Sequence, residues 1–172
     1  MFRTQTDLLY LAFDFSFPPA SIPKPAMNNN PTIIPYSDIL NQQVLQVWEE
    51  SVLATHHFLS TEDFNEIKGM VSAINFNEFT VFCSTDNNQV TGFIGVADKK
   101  IEMLFVAPVY FGKGLGKALL LFAINQLHAT RVDVNEQNES AVKFYKKHGF
   151  KTNERTEKDD QGRNYPLLRM KL

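Results

Sequence analysis

Apolar residues recur at every fourth position from residue 40: Leu40, Val44, Trp48 and Val52, with Leu45 beside them. That spacing lines one face of an α-helix. Ser37 or Asp38 stands where the helix cap is expected, after a short strand candidate at 32–36. Ser60-Thr-Glu-Asp63 resembles a capping box, and Phe64, Ile67, Val71 and Ile74 follow at steps of three and four. These predict a second amphipathic helix. The period then changes to two. Residues 79–84 alternate and are rich in strand formers, Asp86-Asn87-Asn88 is a turn, and 90–96 is a second strand. Asp98-Lys99-Lys100 is another turn and 101–106 a third strand. Strands on turns this short form an antiparallel meander. A glycine-rich turn follows, then a helix at 115–128, a strand at 131–135, a helix at 140–148 and a strand at 150–154. A hairpin turn at Asp159-Asp160-Gln161-Gly162 leads into a closing strand at 166–172. The order β-α-α-β-β-β-α-β-α-β-β predicts an α/β protein, a mixed sheet with helices on both faces.

The first thirty residues do not join this pattern. Residues 18–35 hold six of the eight prolines, and such a stretch builds neither helix nor central strand. Residues 1–30 are expected to lie outside the fold as an extension, with the folded domain at 31–172; Met27 opens a segment that reads as a natural start. Leu8 to Phe17 resembles a secretion-signal core only in part, because it is short, Asp14 interrupts it and no small-residue cleavage site follows cleanly. No run of 18 apolar residues suggests a transmembrane helix.

Composition adds little to this picture, and charge adds more. The chain has 172 residues, 44% hydrophobic and 21% charged, an ordinary globular composition for about one domain of ~150 residues. Its one cysteine, Cys83, permits no internal disulfide and makes the reducing cytoplasm the expected compartment. His56, His57, His128 and His148 show no metal-ligand spacing, so no metal is expected. A net charge of −2 argues against a nucleic-acid or anionic-membrane partner. The distribution is uneven, however. Residues 1–97 hold three basic against ten acidic residues, a net of −7, while 98–172 hold fourteen against nine, a net of +5.

The basic part contains Gly112-Lys113-Gly114-Leu115-Gly116-Lys117 between a strand and a helix. Glycines let a backbone approach a ligand, the helix N-terminus offers unpaired N–H groups, and Lys113 and Lys117 add charge. This suits a diphosphate. A Walker loop is excluded, because Phe111 and Ala118 replace its first glycine and its metal-binding hydroxyl. A dinucleotide fingerprint is weakened by Lys117 at its last glycine, although Asp133 stands where a ribose acid is expected.

The loop has companions. Val106-Ala107-Pro108 precedes it, and Asn135-Glu-Gln-Asn138-Glu-Ser-Ala141-Val-Lys-Phe144-Tyr145-Lys-Lys-His-Gly149-Phe150 follows. Together these resemble the acyl-CoA signature of the GCN5-related N-acetyltransferases (GNAT), from about Thr32 to Leu172. Trp48-x-x-Ser-Val-x-Ala-Thr-His56-x-Phe-Leu59 and Asp159-Asp-Gln-Gly-Arg163-x-Tyr165-Pro-Leu-Leu168 look like the bacterial YjaB-type branch. The resemblance implies a mostly antiparallel sheet of about seven strands and direct transfer of acetyl from acetyl-CoA to a primary amine, in a monomer or homodimer. The one departure is Phe111, where the family loop usually begins with Arg or Gln. Restoring arginine there is expected to tighten CoA binding.

The resemblance also assigns residues. Leu104, Phe105 and Val106 would hold the acyl-pantetheine arm through backbone groups, which can also stabilise a developing oxyanion. Gly112, Lys113, Gly114, Leu115, Gly116 and Lys117 would hold the diphosphate. Asn138, Ala141 and Tyr145 stand at i, i+3 and i+7 on one helical face. Asn138 would bond the pantetheine amides and Tyr145, a phenol with an ordinary pKa of about 10, would protonate the leaving thiolate. Glu102, on one strand face with Leu104 and Val106 by alternation, is the candidate general base, or else a partner of Lys99 or Lys100. His56 is a candidate base, acceptor contact or helix-terminal histidine. Trp48, which its place on the apolar stripe favours as core, and Tyr165, near the hairpin tip and either lining the acceptor cleft or only packing there, complete the candidate acceptor side. The acceptor itself stays open among protein lysine, N-terminal, polyamine and antibiotic amines. A CoA sensor without catalysis and a nucleotide-binding regulatory domain are the alternatives.

Overall fold

A computed structural model describes residues 31–172; the expected extension at 1–30 lies outside the described residues. The strands are β1 (Thr32–Pro35), β2 (Thr80–Asp86), β3 (Gln89–Ala97), β4 (Lys100–Val106), β5 (Arg131–Asn135), β6 (Lys151–Thr156) and β7 (Leu167–Lys171). The helices are α1 (Asn41–Thr55), α2 (Thr61–Ser72), α3 (Leu115–Gln126) and α4 (Glu139–Lys147). All seven strands form one sheet in the order β1-β2-β3-β4-β5-β7-β6. Every neighbouring pair is antiparallel except β4 with β5.

Local chemistry explains most of this. Asn87 and Asn88 both take positive φ, as do Asp98 and Lys99. Two left-handed residues in a row give the turn whose twist matches its flanking strands, so the β2–β3–β4 meander closes on minimal loops. Ser60 caps α2: its Oγ accepts from the Asp63 N–H at 3.0 Å and donates to Asp63 Oδ2 at 2.7 Å. The expected cap of α1 does not form. Asp38–Leu40 wind into a single 3-10 turn, and neither Ser37 nor Leu40 supplies a side-chain cap bond. The sixth strand sits slightly later than its expected place at 150–154, because Phe150 is drawn into the core beside Tyr145, ring centroids 5.4 Å apart.

The helices α1 and α3 both pack on β3 and β4, from opposite faces. On one face Phe93 stacks on Phe105 at 5.4 Å and meets Phe76 edge-on. On the other, Leu119 of α3 lies over Gly92, where a side chain would collide with the Phe105 carbonyl and Val106. Burial of each such ring or leucine contributes roughly 1.5–3 kcal/mol.

One irregularity matters for the site. Gly95 pairs with Met103 and Val96 with Ile101, so the ladder skips Glu102. Glu102 is the extra residue of a β-bulge. Strict alternation does not run through it, and the expected common face with Leu104 and Val106 is broken there.

Candidate active site

The parallel pair β4–β5 is joined only at Lys100↔Arg131 and Ile101↔Val132. Beyond that the strands part. The Ala107 N–H donates to the Thr91 carbonyl of β3 at 2.8 Å. Polar groups alternate sides along an antiparallel strand, so Phe105 also faces β3, while Leu104 and Val106 turn theirs toward the opening. Of the three residues expected to hold an acyl arm, Leu104 and Val106 therefore present backbone groups to the gap. Phe105 lies in the aromatic stack.

The glycine loop stands beyond the end of β4. Gly112 and Gly114 have φ of 71° and 84°, a left-handed conformation that side chains resist. Nothing lies within 4 Å of a Cβ built on either, so the surface above them is open. Gly114 caps α3 without any side-chain bond, which leaves the first-turn N–H groups of Leu115, Gly116 and Lys117 directed outward. Lys113 lies with its ammonium 5.1 Å from the Tyr110 ring centroid. Phe111 is buried, so the place where an arginine was expected to help points into the core.

A cavity of about 500 Å³ lies between this loop and α4, bordered by Gly112, Gly114 and Lys117 on one side and Lys143, Phe144 and Lys147 on the other. Lys143 and Lys147 were not among the expected ligand contacts. Their signal was present in the sequence as an i, i+4 pair on the helix that Asn138 opens. The open glycine backbone, the unpaired helix N-terminus and lysines on both walls fit a diphosphate-bearing ligand of the CoA type.

Asn138, Ala141 and Tyr145 are buried together on one face of α4, as the spacing predicted. Asn138 Oδ1 accepts from the Ala141 N–H at 3.0 Å and from Ser140 Oγ at 3.3 Å, capping the helix. Its Nδ2 faces His56 Nε2 at 3.5 Å. The Tyr145 hydroxyl is fully buried and has no hydrogen-bond partner among the described residues. Burial raises its pKa far above the ordinary value, so the phenol stays protonated. A buried hydroxyl without a partner costs about 1–3 kcal/mol.

The remaining candidates lie on other walls. Glu102 is buried, not exposed, and its Oε2 is 3.1 Å from Lys100 Nζ. Lys100 also meets Asp133, which Arg169 holds at 2.8 Å. His56 ends α1, buried, with Nδ1 2.6 Å from Thr55 Oγ1. Its ring meets Phe58 at 5.2 Å, and Phe58 meets Tyr165 at 6.0 Å. Tyr165 reaches back to α2, where its hydroxyl bonds Asp63. Trp48 is in the core, stacked on Phe64 at 6.0 Å. Among the described residues no cluster of three or more His, Cys, Asp or Glu is placed to hold a metal, and no helix is long and apolar enough to cross a membrane.

Residues 37–172 match the family model described as an acetyltransferase (GNAT) domain. The chain is 37% identical over 129 residues, 75% of its length and 89% of the relative's, to the peptidyl-lysine N-acetyltransferase YjaB of Salmonella typhimurium. The solution structure of apo YjaB from Escherichia coli superimposes with a TM-score of 0.75 at 35% identity, covering 81% of this chain and 95% of that one. The fold is shared more distantly with a PaiA N-acetyltransferase of Thermoplasma acidophilum solved with coenzyme A, at a TM-score of 0.63, 22% identity and coverage of 82% and 98%.

Proposed function

The chain belongs to the GNAT family of N-acetyltransferases, and from that premise we propose that it transfers acetyl from acetyl-CoA to the side-chain amine of lysine in a protein. The observation that carries the donor half is the early end of the β4–β5 ladder, which turns the Leu104 and Val106 backbone toward the gap. The acceptor half rests on the peptidyl-lysine activity named for the 37%-identical relative. Family membership removes the nucleotide-binding regulatory alternative.

Each need of the reaction then has an owner. Acetyl-CoA supplies an activated thioester carbonyl. The α3 N-terminus and Lys113 and Lys117 bind its diphosphate, with Lys143 and Lys147 on the facing wall. The Leu104 and Val106 backbone groups orient the arm and donate to the carbonyl oxygen as it gains charge. The lysine nitrogen bonds to the carbonyl carbon and the carbon–sulfur bond breaks. Tyr145, a phenol protonated at neutral pH, gives its proton to the sulfur. The proton released by the amine passes through water to Glu102. Tyr165 and Phe58 line the acceptor side, in front of the acidic residues of α2. We infer a cytoplasmic protein, a reading supported by the lone Cys83, buried as a thiol with its pKa pushed up to about 12, and a monomer or homodimer, as the family resemblance implies.

The test is to incubate the full chain with acetyl-CoA and four acceptors: a lysine peptide blocked at its N-terminus, a lysine-free peptide with a free N-terminus, spermidine and an aminoglycoside. Free thiol release and a single acetyl mass increment on the blocked lysine peptide are expected. Transfer confined to any of the other three overturns the lysine assignment.

A further inference from the structure

His56 lies 82 positions before Asn138 in sequence, and the two meet where α1 ends and α4 begins. The bonds around them leave few choices. Asn138 Oδ1 is committed to the Ala141 N–H at 3.0 Å, so the end of the amide that faces His56 is Nδ2. An amide nitrogen only donates. His56 Nε2 must then accept, and a neutral imidazole that accepts at Nε2 carries its proton on Nδ1. That proton points at Thr55 Oγ1, 2.6 Å away. The Thr55 hydroxyl in turn donates to the Ser51 carbonyl at 2.7 Å. One tautomer of His56 satisfies all of these contacts with every donor meeting an acceptor.

The consequence reaches Tyr145. If the Asn138 amide turned over, its Oδ1 would leave the Ala141 N–H and the first turn of α4 would lose its cap. Tyr145 stands seven residues on, on the same face. Its ring packs against Phe144 and Phe150 and its hydroxyl has no hydrogen-bond partner among the described residues, so where that hydroxyl lies follows the placement of α4, which the capped first turn helps to set. We propose that His56 is a positioning residue for the transfer: as the Nδ1–H tautomer it accepts from Asn138, fixes the amide in its capping orientation and so sets the place of Tyr145. This rests on the reading of Tyr145 as the acid, and it changes His56 from a candidate acceptor contact to the link between the acceptor-side helix α1 and the donor-side helix α4.

The tautomer is directly measurable on the intact protein by the imidazole ¹⁵N shifts of His56 in two-bond correlation NMR, without any activity. A proton on Nδ1 is expected; a proton on Nε2 overturns the proposal. In kinetics, His56→Leu removes the acceptor and is expected to lower kcat about tenfold, with KM for acetyl-CoA within about twofold. His56→Gln, whose Oε1 reaches the place of Nε2, is expected to recover most of that loss. In an Asn138→Ser background the cap persists through the serine hydroxyl, and His56→Leu is expected to cost nothing more. Full kcat in His56→Leu, no recovery in His56→Gln, or additive losses in the double variant each overturn it. Should His56→Leu fail to fold, the tautomer and His56→Gln still decide. Full turnover in Tyr145→Phe would instead remove the acid reading while leaving the tautomer result standing.

Discussion

The Tyr165 hydroxyl donates to Asp63 Oδ2 at 2.5 Å across 102 positions of sequence. The bond ties the segment between β6 and β7 to the first turn of α2. Ser60 Oγ joins it on the same carboxylate oxygen, and Arg163 from the same segment reaches Glu66 at 3.6 Å.

Bonding from Tyr165, then from Ser60, holds the Asp63 carboxyl below the usual carboxylate range. A depressed carboxylate stabilises the fold above its unfolded pKa, and that stability is lost as pH falls through the folded value. Tyr165→Phe should therefore melt below the wild type at neutral pH, with the difference closing as pH drops beneath the usual carboxylate range. A gap in Tm that stays constant down to acid unfolding would show that Asp63 is not its source. On the proposed acceptor-side placement of Tyr165, KM for a lysine peptide should rise in the same variant.

Tyr145→Phe should lower kcat by about 10²-fold, the low end for a positioned acid, with KM for acetyl-CoA unchanged. Its melting temperature should hold or rise, since the change deletes a buried hydroxyl without a partner. The sign at alkaline pH follows from the raised pKa. Below about pH 10, its unfolded value, Tyr145 is protonated in both states; above it the unfolded phenol ionises while the buried one stays protonated, so stability falls as pH rises. The phenylalanine variant should show a shallower alkaline loss of Tm. Unchanged kcat removes Tyr145 from the chemistry.

Lys143→Ala combined with Lys147→Ala should raise KM for acetyl-CoA about tenfold and leave kcat nearly intact. The wild-type KM should rise with salt and the variant's less so, because screening acts on charges that are present. Equal KM values at low salt would take the α4 wall out of donor binding.

Phe111→Arg changes meaning once the fold is known. The sequence pattern alone led to the expectation that arginine would tighten CoA binding there. Phe111 is 4% exposed, so the guanidinium would enter the core or force the loop open. The expected outcome is a protein destabilised by about 3 kcal/mol or more, with no gain in affinity. Differential scanning fluorimetry and calorimetric titration with CoA check both halves; a stable variant that binds CoA more tightly would show that the loop turns Phe111 outward.

Local signals carried the fold a long way. Asn87-Asn88 and Asp98-Lys99 encode tight turns in four residues, and the spacing of Asn138, Ala141 and Tyr145 encodes a face that the helix then buries. What the sequence hid was relational. The bulge at Glu102 exists because two strands disagree by one residue in length, which no window along β4 reveals. The opening beside Leu104 depends on how far β5 runs alongside β4. The meeting of His56 with Asn138 depends on two helix ends arriving at one point from different parts of the chain. Phe111 is a plain loop residue by sequence, and only the packing around it makes it core.

The two-rung β4–β5 pairing has a thermodynamic side. Where a ladder stops, the amides beyond it are not locked in a sheet, so Leu104 and Val106 N–H groups should exchange with deuterium sooner than that of Phe105, which β3 holds. A donor that bonds those edge groups acts as a temporary eighth strand. Its arrival should slow exchange at Leu104 and Val106 first and raise the melting temperature of the whole sheet, which makes ligand binding and folding parts of one equilibrium.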